Sequence, residues 1–204
     1  MVSASKLSPA AHLGDRLDRL IALYETAYQT GTPGWRVGLR PPASGTNLNR
    51  VEERLGRLLP EEARDLYQWH DGCDRTFFVP DLSFNPLDRA LSIYQATDRI
   101  GIQPITNGLG SVEKVDLFPV FNIDRTLFSI RANAESRAPT SPVYVPLFDD
   151  LDGVTVVSSS IAALIEHLIV ELEAGRVEYT EHGVRWSRDP YPSDPQMEPY
   201  REPS

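Results

Sequence analysis

Apolar positions recur at three- and four-residue spacing at the start of the chain, and this spacing predicts a helix over about 14–29. Leu13, Leu17, Leu20, Ile21, Tyr24 and Tyr28 fall on one stripe. Gly31, Pro33 and Gly34 end it, and residues 31–46 form a loop holding Trp35 and the Pro41–Pro42 pair. A second helix is predicted over 47–56, with Leu48, Val51 and Leu55 inward and Glu52, Glu53 and Arg54 outward. Leu59-Pro60-Glu61-Glu62 reads as a third start, with Pro60 at the first helical position and two carboxylates at the positive end of the dipole. That helix runs through Ala63, Leu66, Tyr67 and Trp69 to a left-handed cap at Asp71-Gly72. A short strand over 76–80 follows. Asn85-Pro86 then opens a fourth helix whose Leu87, Ala90, Leu91 and Tyr94 face inward.

Beyond residue 100 the period changes from helical to extended. Residues 117–121, 126–130, 143–148 and 154–157 are short runs rich in β-branched and aromatic side chains, separated by Asn, Asp, Pro and Gly turns. Strands in direct succession, with no helix between them, predict an α+β fold with a mostly antiparallel sheet packed against helices. Ser158-Ser159-Ser160 caps a final helix with Ile161, Leu164, Ile165, Leu168 and Leu172 on its stripe and Gly175 at its end. Residues 176–188 are expected to form a terminal hairpin. Residues 189–204 are Pro-rich with few apolar anchors, and a mobile tail is expected there.

Composition adds a constraint on partners. The 204 residues carry 29 acidic and 20 basic side chains, a formal net charge of −9. Such a body repels phosphate backbones, so direct nucleic-acid binding is disfavoured, whereas a basic protein would be drawn to it. Cys73 is the only cysteine, which rules out an intrachain disulfide and fits a reducing compartment. Residues 1–11 lack the layout of a secretory leader, and no run approaches the length of a membrane span; a cytoplasmic protein is expected.

The densest reactive group is His70, Asp71, Cys73 and Asp74. A cysteine nucleophile needs a base in reach and a group to orient it, but a break at Asp71-Gly72 separates His70 from Cys73. A Cys/His-dependent hydrolase is therefore the less favoured alternative to a helix end with a small buried thiol. No metal site is expected, because His12, His70, His167 and His182 are scattered and Asp149-Asp150-Leu151-Asp152-Gly153 lacks the ligand spacing of a calcium loop. No cofactor is expected either: the glycines at 101, 108 and 110 make neither a phosphate loop nor a dinucleotide fingerprint.

Leu55-Gly56-Arg57-Leu58-Leu59-Pro60-Glu61-Glu62 followed by Leu66-Tyr67-Gln68-Trp69-His70-Asp71-Gly72 resembles the motif of the SUKH superfamily. In that family a helix ending in Leu-Gly meets a Leu-Pro helix start. Phe118-Pro119, Val143-Tyr144-Val145 and the Ser159 to Ile165 stretch are similar to its later strands and closing helix, so the resemblance covers roughly 47–175. Asp71-Gly72 stands where the family has Asn-Gly, and Asn122-Ile123-Asp124-Arg125 where it often has a Gly-containing turn. The resemblance implies a core over 47–175, with residues 1–46 outside it, and protein binding in place of catalysis. Bacterial members resemble immunity proteins that neutralise toxins, commonly nucleases; fungal ones resemble regulators of cell-wall assembly. The expected function is thus a protein-binding module for a partner with a basic surface, such as a toxin nuclease domain, or alternatively a regulatory scaffold on an endogenous enzyme. Expected contacts are the loop carboxylates Asp71, Asp74, Asp149, Asp150 and Asp152, with Trp35 as an aromatic anchor.

Overall fold

The computed structural model describes residues 13–29, 36–74, 78–100, 116–123, 126–133, 135–147, 153–180 and 183–187. Helix α1 (Leu13–Gln29) buries Leu17, Leu20, Ile21 and Tyr24, the stripe its spacing predicts. Helix α2 (Gly45–Leu55) begins two residues before the expected start, because the Ser44 hydroxyl accepts the Asn47 N–H at 3.1 Å. It ends at Gly56, whose φ of 64° is the left-handed cap. Helix α3 (Glu61–Trp69) starts one residue later than expected. Pro60 sits just outside it, and its carbonyl accepts the N–H groups of Ala63 and Arg64. The N–H groups of Glu61 and Glu62 donate to the carbonyls of Ala138 and Pro139, so a loop far along the chain closes this helix end.

The exit from α3 differs from expectation in cause. His70 is extended, with φ −154°, so the helix does not end in a left-handed cap. Gly72 is nevertheless left-handed, at φ 78°. A Cβ there would lie 2.4 Å from the Pro86 nitrogen, 2.7 Å from the Pro86 Cα and 2.8 Å from the Asn85 carbonyl carbon. The glycine is required because two backbones cross at this point. Around the crossing, Arg40 N–H donates to Gly72 O (3.0 Å), Asp74 N–H to Gly38 O (2.8 Å) and Cys73 N–H to Phe84 O (3.1 Å). The loop before α2, the loop after α3 and the segment before the fourth helix are thereby joined.

No strand forms over the described part of 76–80; residues 75–77 lie outside the described set. Phe78 to Leu82 is instead a tight turn, with Asp81 at φ 63° and Phe78 N–H donating to Leu82 O at 2.6 Å. The turn delivers Phe78 to a ring cluster with Phe84 and Phe121, centroids 5.6 and 5.9 Å away. Strand β1 is only Ser83–Phe84, and α4 (Leu87–Ile100) follows.

Strands β2 (Leu117–Ile123), β3 (Thr126–Arg131), β4 (Val143–Leu147) and β5 (Gly153–Ser158) complete a five-stranded sheet in the order β1-β2-β3-β4-β5. Every pairing is antiparallel, so the chain is an α+β protein with an antiparallel sheet. Helix α5 (Ile161–Glu173) starts at Ser160, whose hydroxyl accepts the Ala163 N–H. The hairpin of β6 (Val177–Thr180) and β7 (Gly183–Trp186) is tied back by Trp186, whose indole N–H donates to Pro80 O at 2.9 Å.

Packing runs across the boundaries expected near residues 46 and 175. Leu17 and Leu20 of α1 and Trp186 of β7 belong to the same buried cluster as Leu66, Phe118, Phe121 and Leu168. The expected tail at 189–204 lies outside the described residues.

The crossing yields a graded stability prediction. Gly72→Ala, which drives a methyl into Pro86, is expected to destabilise the protein by at least ~2 kcal/mol, through overpacking added to the cost of positive φ. Gly56→Ala, with a similar φ of 64° and open space at the Cβ position, is expected to cost only about 1 kcal/mol. Urea denaturation of both variants checks this; equal losses would mean that the contact with Pro86 is not limiting.

Candidate protein-binding surface

The loop after α3 carries the reactive group singled out by sequence, and each member has a distinct local duty. Asp71 is half-buried, and its Oδ1 accepts the Leu87 N–H at 2.8 Å. A carboxylate at the first turn of α4 satisfies an orphan donor and faces the positive end of the helix dipole. Asp71 is thus a capping group more than a contact offered outward. His70 donates through Nδ1 to Arg40 O at 2.5 Å, which assigns the proton to that nitrogen, and its ring lies edge-on to Trp69. Cys73 is buried and its thiol donates to Phe84 O at 3.6 Å. Burial pushes that thiol pKa up, opposite to what a cysteine nucleophile needs.

Asp74 is the sequence-predicted contact that the described structure leaves open to solvent. Its side chain is 77% exposed and lies 3.6 Å from Arg40 Nε. Asp88 on α4 flanks the same arginine at 3.4 Å and is 80% exposed; sequence reasoning assigned it to a helix and passed it over. Exposed pairs of this kind are weak, at most about 1 kcal/mol, so a partner can displace them. Trp35, Asp149, Asp150 and Asp152 lie outside the described residues.

A second group of carboxylates was not singled out by sequence. Helices α1 and α3 contain three arginines, and all three are directed to other elements. Arg16 faces Glu166 and Arg19 pairs with Glu173, both on α5; Arg64 reaches Glu52 on α2 at 2.7 Å. Asp15, Asp18 and Asp65 remain exposed, and Asp18 accepts the Trp69 indole N–H at 2.8 Å, linking α1 to α3. This face therefore displays carboxylates without a cation from its own two helices. The signal was present in the exposed side of the α1 stripe, at positions 15 and 18, but the arginines at 16 and 19 masked it until their partners were known.

Two further carboxylates are internal. Glu52 is buried; burial favours its neutral form, but hydrogen bonds from Arg137 and the Leu59 N–H, with the charges of Arg64 and Arg137, outweigh this and hold its pKa below the ordinary value. Glu62 accepts the N–H groups of Ile161 and Ala162 at the start of α5, and there burial prevails and raises its pKa. Both carboxylates hold elements together. Among the described residues no three His, Cys, Asp or Glu side chains converge to hold a metal, and no helix is long and apolar enough to cross a membrane.

No family model matches the chain, and no curated protein matches it.

The geometry separates the two loop aspartates experimentally. Asp71→Ala is expected to lower stability by about 1 kcal/mol, the usual loss for an N-terminal cap, while Asp74→Ala leaves stability within about 0.5 kcal/mol of the parent. Chemical denaturation of the two variants side by side decides it. A stable Asp71→Ala protein would return Asp71 to the pool of outward contacts.

Proposed function

We propose that this chain is a protein-binding module for a partner with a basic surface, and that its role is of the immunity type, occluding a nuclease-type toxin domain. The observation that carries this reading is the disposition of charge on α1 and α3. Their arginines are drawn to α5 and α2, and Asp15, Asp18 and Asp65 are left facing solvent. Asp74 and Asp88 add exposed carboxylates at the loop after α3 and the start of α4. With a net charge of −9, such faces speed encounter with a basic partner, and a nuclease presents basic residues because its substrate is a polyanion.

Two further points support the reading. The antiparallel α+β architecture agrees with what the resemblance to the SUKH superfamily implies, and protein binding is the role common to that family's bacterial and fungal branches. The His70–Cys73 group is also absorbed into local structure, the imidazole on Arg40 O and the thiol on Phe84 O. Action in the cytoplasm, with one buried thiol and no disulfide, is part of the proposal.

The test begins with affinity capture from the native host and identification of the bound protein, followed by association kinetics on the purified pair. The partner is expected to carry a basic surface, and its association to slow as salt rises. Reversal of Asp15 and Asp65 to lysine, and separately of Asp149, Asp150 and Asp152, is expected to slow association about ten-fold for whichever set lines the interface. An acidic partner, or a rate indifferent both to salt and to the two reversals, would overturn the reading.

A further inference from the structure

We draw no further inference here: the strongest candidate, the solvent-facing carboxylates Asp15, Asp18 and Asp65 beside Trp69 on helices α1 and α3, belongs to the surface already described, and nothing in the structure shows what covers it.

Discussion

Where residues 70–74 cross residues 84–87, two backbones meet with no room for a side chain between them. Gly72 lies against Asn85 and Pro86 so closely that any Cβ would overlap main-chain atoms. The contact organises its surroundings. Asp71, one residue before, caps α4; Cys73, one residue after, donates to Phe84 and so aligns β1. Tyr67, one turn earlier on α3, is fully buried and donates its hydroxyl proton to Asn85 O. Asn85 in turn bonds through its N–H to Val120 O and through its side-chain amide to Pro119 O, which connects the crossing to β2. The helical first half and the sheet thus meet at one backbone junction, where the buried Tyr67 hydroxyl and the amides of Cys73, Asn85 and Leu87 find acceptors that burial would otherwise deny them.

The same economy governs the charged residues. Glu52 joins α2 to Arg64 of α3 and to Arg137 of the loop before β4, and Glu62 joins α3 to the start of α5. Pairings of this type engage the arginines of α1 and α3, because Arg16, Arg19 and Arg64 each reach another element. The result is a surface more acidic than the order of residues along α1 or α3 implies. Asp15, Asp18 and Asp65 are left facing solvent on α1 and α3.

Much of the fold was legible in the residues themselves. The stripes of α1, α4 and α5 are visible because helix periodicity is local, and the four strands from Leu117 to Ser158 are visible because β-branched and aromatic runs alternate with turn residues. What could not be read was closure at a distance. Nothing near Glu61 says that Ala138 and Pro139 will accept its first amides, and nothing near Ile161 says that Glu62 will cap it. Asp71-Gly72 shows the difference well. The positive φ was correctly expected, but from a local helix-ending rule, whereas its cause is a neighbour thirteen and fourteen residues further along the chain. The described part of the strand expected over 76–80 is instead the start of a turn from Phe78 to Leu82, held by tertiary packing that includes the Trp186 bond to Pro80. For the binding surface, loop carboxylates could be named from sequence, but the exposed Asp15, Asp18 and Asp65 could be recognised only once the arginines between them had been assigned partners.

The crossing is the central physical claim, and native-state hydrogen exchange reads it directly. The amides of Arg40, Cys73 and Leu87 each donate across this junction, to Gly72 O, Phe84 O and the Asp71 carboxylate. If the junction holds the two halves together, these amides exchange only when the whole molecule unfolds, with the same free energy and denaturant dependence as the central amides of β2 and β3. If they exchange through a local opening while β2 and β3 stay protected, the crossing is a surface detail and the dependence argued for it is wrong.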